Sequence, residues 1–533
     1  RVQLGAQAEE STYRELSGTA KDLFVPDMDA VSIAQGIRTF DDKINDWATC
    51  GFFGRINYNF DERYFIELNG RYDGSGRYSK GSQWGFFPSA FAAWNMSNEG
   101  FWEGLKDVIN FAKLKTSYGT LGNQGNSAGY LHIPTMTVAS ESGWIFNGSR
   151  LPYVKTPGIL NMSRTWEKIT TLDVGLEMRA LDSRLSAELG YFNRRSWDII
   201  GPPTPKAAVL GTSAPSINNA EFVTNGFEMQ LSWRDQINEQ WDYGVSLNLA
   251  DGRSKVTKYN SASNSFGQNA DGSEKWYEGK VFGEIWGYKV DRFLTKDDFD
   301  ENGKLLVDQS KIHANWYPGD VKYEDLDGDG EITPGNSTVE EPGDLRIIGN
   351  TTPRFRYGIN LSTGYKFEKA GRLDLSLFFE GVAKRDLFMN GSFFFWGTGV
   401  GNSFASSVYD NKWHMDFYRD GTTDARLLEY MGENINSYFP RPYDNAEGNK
   451  NFQTNTKYLL NGAYLRLKNL QLTYTLPKHL ISKAGITNCR VYFSGENMFV
   501  LSALPSYIDP EAVGGGRMYP QQAVYSFGVN VSF

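Results

Sequence analysis

An all-β, transmembrane antiparallel β-barrel is the fold this sequence predicts, and three observations predict it. Apolar and aromatic residues recur at every second position through many short segments. The connections between those segments alternate between short and long. No long apolar run occurs and mean hydropathy is -0.47, which excludes a helical membrane protein. A barrel wall passes this test, because only alternate residues face lipid while those between face a polar lumen.

The alternation is clearest in the last segment. Tyr525, Phe527, Val529, Val531 and Phe533 fall on one face, with Ser526, Gly528, Asn530 and Ser532 on the other. Tyr64, Ile66, Leu68 and Tyr72 likewise oppose Glu67, Asn69 and Arg71, and Leu172, Val174, Leu176 and Met178 oppose Asp173 and Glu177. The pattern repeats over Leu185 to Tyr191, Tyr243 to Leu249, Phe355 to Leu361 and Leu373 to Phe379. After Leu465 and Leu467 the apolar phase slips at Asn469 before Leu470 and Leu472, as a β-bulge requires. Strands are therefore expected near 1–8, 46–60, 64–74, 84–97, 109–119, 166–179, 184–197, 221–234, 240–256, 354–367, 372–385, 457–476, 488–500 and 520–533. That is about fourteen, an even number.

The short connections are Asp61 to Arg63, Asn98 to Val108, Leu181 to Ser183, Gln236 to Glu239, Glu368 to Gly371 and Pro477 to Thr487. The others are mostly much longer, the longest being 259–353 and 386–456. Outer-membrane barrels put brief turns on the periplasmic side and large loops outside, which places Phe533 on the periplasmic side. A soluble sandwich or propeller also alternates apolar and polar residues. Its apolar face meets another sheet, however, so bulky aliphatic residues, shorter loops and no one-sided loop asymmetry would be expected.

Lys and Arg number 54 against 63 Asp and Glu, a net charge of -9, and no basic run occurs, which argues against nucleic acid as the main partner. Cys50 and Cys489 are too few for a disulfide framework and give no metal-ligand spacing. The sequence begins at Arg1 without Met or a leader, the expectation for a processed form or a piece of something longer.

The sharpest local motif is Asp325, Asp327 and Asp329 with Gly330 and Glu331, the opening positions of an EF-hand calcium loop. Position twelve is Asn336 rather than the bidentate Glu, so closure of a Ca2+ site would need another acid, with Glu340 and Glu341 as candidates; the alternative is a solvated turn. His132, His313, His414 and His479 show no zinc or haem spacing, no hydrolase or P-loop motif appears, and no enzyme is read here. No cofactor is required. Among the aromatic residues of the long loops, Trp286, Tyr288, Trp316, Trp396 and Trp413 are the candidates for stacking on substrate. Packing inside large loops, or anchoring at the membrane interface, is the competing use of any one ring. Glu67, Arg71, Asp173, Glu177 and Glu188 are expected in the lumen, solvating the pore or meeting a plug.

Several stretches resemble the SusC/RagA family of TonB-linked outer-membrane proteins of Bacteroidetes. They are GFFGRINYNFDERYFIELNGRYDGSGRY (Gly51 to Tyr78), WGFFPSAFAAWNMSNEGFW (Trp84 to Trp102), KLKTSYGTLGNQGN (Lys113 to Asn126), GDLRIIGNTTPRFRYGINLS (Gly343 to Ser362), GAYLRLKNLQLTYTLP (Gly462 to Pro477) and the ending YSFGVNVSF. They run from about residue 46 onward in the family's order. The resemblance implies the C-terminal portion of a plugged 22-stranded barrel. The family's N-terminal domain, TonB box and plug have no counterpart in this sequence, and about eight strands would come from a parent or companion chain. It further implies import of oligosaccharides or peptides, energy from TonB acting through a plug, outer-membrane lipid around the wall, and a SusD-like surface lipoprotein as a lid. Segments 259–353 and 388–456 are expected to meet that lid. A passive porin-like channel, a scaffold or assembly barrel, and a soluble carbohydrate-binding β-protein remain the alternatives.

Overall fold

The computed structural model describes residues 1–22, 32, 34–124, 130, 132–136, 138–139, 145–203, 206–207, 209, 214–261, 263–269, 272–389, 415–418, 429–441, 443, 446–513, 519 and 521–533. Within them, one antiparallel sheet contains fourteen strands, each paired with its neighbours in sequence. They are β1 (Val2–Ala20), β2 (Arg38–Phe60), β3 (Tyr64–Ser75), β4 (Trp84–Asn95), β5 (Phe111–Asn123), β6 (Glu167–Ala180), β7 (Leu185–Gly201), β8 (Ile217–Asn238), β9 (Trp241–Lys258), β10 (Arg354–Phe367), β11 (Gly371–Lys384), β12 (Tyr464–Thr475), β13 (Asn488–Ser502) and β14 (Val524–Ser532). Among the described residues β1 and β14 form the two edges.

The register turns the sequence alternation into continuous belts. Directly paired residues share a face, and one such row runs Trp94, Leu114, Leu176, Leu189, Met229, Leu249, Tyr357, Gly381, Leu465 and Leu501. The neighbouring row, on the opposite face, runs Asn95, Lys113, Glu177, Glu188, Gln230, Asn248, Gly358, Glu380 and Arg466. One face is thus apolar across nine strand pairings and the other polar across eight. A one-residue slip at any pairing would exchange them. The rows begin at the ends of β4 and β5 and climb along the strands toward β12 and β13, the stagger that a tilted barrel wall requires.

Local chemistry sets the turns. Asp61 and Glu62 both take positive φ (50° each), the geometry of a two-residue primed hairpin turn. Gly371 sits at φ 87°, and a Cβ there would lie 2.1 Å from the Thr475 carbonyl, so only glycine lets β10 turn into β11 beside β12. The phase slip in β12 is a bulge: Leu467 pairs with Phe379 and Asn469 with Phe378, leaving Lys468 without a partner in the ladder.

The strands at the start of the chain run further than the sequence reading placed them. β1 reaches Ala20 and β2 starts at Arg38, so a two-stranded ribbon continues past the point where β3 ends its pairing at Thr49. Its charged residues, such as Arg14 paired with Asp42 at 2.8 Å, lie in the open. Strict alternation is a demand of lipid on one face; a ribbon wet on both faces does not need it.

No described helix is long and apolar enough to cross a membrane; the wall is made of strands. The main hydrophobic core lies in the loops, not in the sheet.

Val174 lies near the middle of β6, exposed on the apolar face. Val174→Arg should destabilise the folded barrel in lipid vesicles by about 2–4 kcal/mol, the cost of a cation on the lipid face near the midplane. The adjacent Asp173→Arg, on the polar face, should cost much less. Urea titration followed by tryptophan fluorescence measures both.

Candidate functional site

The polar face of β5 to β12 is concave and encloses a cavity of about 820 Å³. Its charged lining is Lys115, Asp173, Glu188, Glu228, Arg356, Glu380, Arg385 and Glu511, five carboxylates against three cations. Lys115 pairs with Glu188. Of the residues assigned to the lumen from sequence, Asp173 and Glu188 line this cavity. Glu67 and Arg71 sit further along the same face, where Glu67 accepts hydrogen bonds from Asn57 and Asn69, each at 2.9 Å, and Arg71 pairs with Asp73 at 3.0 Å. Such a surface suits hydrophilic cargo or a polar protein segment.

Above the wall, three connections pack into one cap. Tyr288, Phe293, Trp316, Tyr323 and Ile332 come from 259–353, Leu387 and Tyr458 from the connection that includes 386–456, and Leu504 and Ile508 from that between β13 and β14; all are buried together. Polar cross-links join the first two. The Lys450 ammonium and the Asp320 carboxylate, both with fully buried side chains, pair at 2.7 Å. Lys450 also donates to the Asn315 carbonyl at 2.7 Å and lies over the rings of Trp316, Tyr317 and Tyr443. Asp320 accepts from Tyr443 and from Asn451, each at 2.9 Å or less. Removing one member of such a buried pair costs about 3–5 kcal/mol, because its partner is left charged and dry.

The last connection is tied down at its other side. Arg466, at the end of the polar row, donates to Asp509 and forms a 2.8 Å ion pair with Glu511, which also pairs with Lys468 at the bulge. The bulge therefore re-aims Lys468 toward the loop.

The aromatic candidates fall into this cap. Trp286 stacks on Phe266 with ring centres 3.9 Å apart and planes nearly parallel. Tyr288 and Trp316 are both buried in the core against Tyr323, and the Trp316 indole N–H donates to the His313 carbonyl at 2.7 Å. Trp396 and Trp413 lie outside the described residues.

At the acidic motif the carboxylates of Asp325, Asp327 and Asp344 converge, each offering an oxygen within 4.8 Å of the others. Asp329 and Glu331 are not part of this group: the Asp329 carboxylate accepts the Glu331 N–H at 2.8 Å, capping the turn. The acid that adjoins Asp325 and Asp327 is Asp344, not Glu340 or Glu341. Glu340 accepts from Asn264 at 2.7 Å and Glu341 accepts from Asn336, whereas Asp344 is buried and receives the N–H groups of Leu326 and Thr333 at 2.7 Å each. N–H donation from Gly330 and Gly328 holds the Asp325 carboxyl below its ordinary value, while desolvation and the fields of Asp344, Asp329 and Asp325 raise that of Asp327. Asp344 lay inside the quoted stretch beginning Gly343, but nineteen residues separate it from Asp325, outside any EF-hand count.

The profile described as TonB dependent receptor-like, beta-barrel matches residues 3–498. The chain belongs to the TonB-dependent receptor-like β-barrel family. That is a family of outer-membrane barrels acting as receptors and transporters. The TonB-dependent receptor P3 of Formosa agariphila is 28% identical over 92% of this chain and 46% of that protein. The TonB-dependent receptor SusC of Bacteroides thetaiotaomicron is 22% identical over 90% of this chain and 43% of its own length. The RagAB peptide importer in its open-open state has the same fold, with a TM-score of 0.72 at 21% identity over all of this chain and 53% of that one. The chain thus spans about half the length of the relatives it matches.

In the loops of this TonB-dependent receptor barrel, the Asp298 carboxylate gathers Arg292, Thr295 and Lys322. Burial pushes its carboxyl up, but donors from Arg292 (2.8 Å), the Thr295 N–H (2.8 Å) and Lys322 (2.9 Å) outweigh this and hold it well below the ordinary value. A depressed carboxylate stabilises the folded state above its unfolded value of about 3.9, and that contribution is lost as pH falls toward the folded value. Hydrogen-exchange protection of 290–323, corrected for intrinsic rates, should therefore hold above about pH 4 and decline below it. Arg292→Ala raises the folded value toward the unfolded one, so it should leave the onset of that decline near pH 4 and reduce its size.

Proposed function

We propose that this chain forms wall and extracellular cap of an outer-membrane importer, energised by TonB, for oligosaccharides or peptides. The observation that carries the reading is the union of a polar, concave wall with long loops fused into one cap on a single end of the sheet. In this reading the remaining strands, supplied by the same or a companion chain, pair with β1 and β14, because an open edge in lipid leaves N–H and C=O groups unsatisfied at several kcal/mol each. A plug occupies the lumen against the charged wall, and TonB supplies the work of moving it. The short turns and Phe533 face the periplasm. A SusD-like lipoprotein covers the cap through 259–353 and 388–456.

Purification of the protein in mild detergent, followed by mass spectrometry of every chain present, tests the assembly. A surface lipoprotein that cross-links to 259–353 or 388–456 is the expected result. Uptake of labelled oligosaccharides and peptides by cells with and without the protein, and with TonB energisation collapsed, tests the activity. Uptake unchanged by loss of the protein, or independent of TonB, would overturn the importer reading in favour of a scaffold or a passive channel.

The cap also presents a proposed Ca2+ site in Asp325, Asp327 and Asp344, with no cofactor otherwise needed. Each lost carboxylate charge weakens a calcium site, and among the described residues the Asp327 carboxylate accepts one hydrogen bond, from the Asp329 N–H at 3.3 Å, so Asp327→Asn separates binding from folding. Calorimetric titration with Ca2+ should show at least about a tenfold loss of affinity in that variant, ~1.4 kcal/mol. Equal heats for wild type and variant would assign the motif to a solvated turn.

A further inference from the structure

The connection between β4 and β5 is not a plain turn. It coils through two short 3-10 segments, Met96–Asn98 and Gly100–Leu105, and closes with the Val108 and Ile109 N–H groups on the Leu105 carbonyl. Phe101, Leu105 and Val108 recur on it at spacings of four and three residues and are 64%, 46% and 55% exposed. Glu103, Lys106 and Asp107 stand between them, also exposed. Among the described residues nothing buries these three apolar side chains.

Their position says which solvent they meet. Tyr64, Trp94 and Leu114 lie on the apolar face of the wall, in register across β3, β4 and β5. Phe101 packs edge-to-face on Trp94 with ring centres 6.1 Å apart, and so lies on the lipid side of the wall rather than the lumen side. Glu99 fixes that placement: its carboxylate accepts from the Tyr64 hydroxyl at 2.6 Å and the Trp94 indole at 3.0 Å, and meets Arg63 at 3.6 Å. The Trp102 indole donates to the Ile109 carbonyl at 3.0 Å, closing the coil on itself. Through Phe101 these exposed apolar side chains adjoin the lipid-facing belt and extend it beyond the strand ends, interspersed with exposed charged residues. That is the pattern of an interfacial anchor.

We infer that residues 99–108 form a membrane foot, with Phe101, Leu105 and Val108 inserted at the boundary between headgroups and acyl chains of the phospholipid leaflet on the short-turn side. The inference rests on the family's outer-membrane wall and not on the cargo or on TonB. Single cysteines at 101, 103, 105, 107 and 174, placed in the full-length protein with Cys50, Cys489 and any cysteine beyond this sequence replaced by Ser, would be spin-labelled and reconstituted in phosphatidylethanolamine and phosphatidylglycerol vesicles. Power saturation then compares collision with oxygen, which partitions into lipid, and with a water-soluble nickel chelate. Phe101→Cys and Leu105→Cys should favour oxygen, as should Val174→Cys in mid-wall, whereas Glu103→Cys and Asp107→Cys should favour nickel. Leu105 makes no ring contact with the wall, so Leu105→Cys still decides the matter if loss of the Phe101 ring impairs insertion. Nickel-favoured labels at 101 and 105 with an oxygen-favoured label at 174 would overturn the foot and leave the barrel intact. A nickel-favoured label at 174 as well would overturn both.

Discussion

Every feature of this wall depends on one constraint: a backbone in hydrocarbon must find all its hydrogen-bond partners in neighbouring strands, since water cannot supply them. The constraint is met by an antiparallel order with each strand beside its neighbours in sequence, through short turns at one end and long connections at the other. It also makes register decisive. With side chains alternating, the row from Trp94 to Leu501 stays in lipid only while every pairing between them holds its place. Specificity therefore resides in the ladder as a whole and not in any one contact, and the wall needs no buried core of its own.

The cap obeys the opposite rule. It stands in water, gains stability by burying side chains, and must satisfy the polar groups it buries. Asp320 shows how: its carboxylate meets Lys450, Tyr443 and Asn451, and the Tyr317 N–H at 2.9 Å, all within the cap. A buried ion pair is weak evidence for stability, since an apolar pair of similar volume can do as well. What it supplies is selectivity of assembly, because misplacing either loop leaves a dry, unpaired charge. Two connections far apart in sequence are thereby committed to one arrangement.

How much of this was legible in the sequence follows from the same division. The wall was legible because lipid imposes alternation on it: Tyr64 to Tyr72 and Leu172 to Met178 carry their facing in their order, and the slip at Asn469 revealed the bulge at Lys468. The ribbon of β1 and β2 beyond Thr49 was not legible, since water on both faces imposes no such order. Nor was the third acid at Asp325. A turn motif constrains residues a few positions apart, and Asp344 is delivered by the fold through the N–H groups of Leu326 and Thr333. The partnership of Lys450 with Asp320, and of Arg466 with Asp509, spans 130 and 43 residues respectively, beyond any local pattern. The aromatic residues of the loops carry no period that separates a ring in a core from one facing a ligand, which is why Tyr288 and Trp316 could be located only by their burial.

Wall and cap meet at Arg466. Arg466 is at once the last member of the polar row, paired across the ladder with Glu380 of the cavity lining, and the buried partner of Asp509 and Glu511 in the last connection. Its side chain is buried between these two carboxylates, so the loop can leave the wall only by stripping the pair of its partners or by carrying water in with it. Leu504 and Ile508 of the same loop are buried in the cap core. A displacement of the polar face of β12 is therefore resisted by the cap, and a displacement of the cap by the wall. The cavity and its cover are mechanically a single body at this corner of the sheet, whatever occupies the lumen beside it.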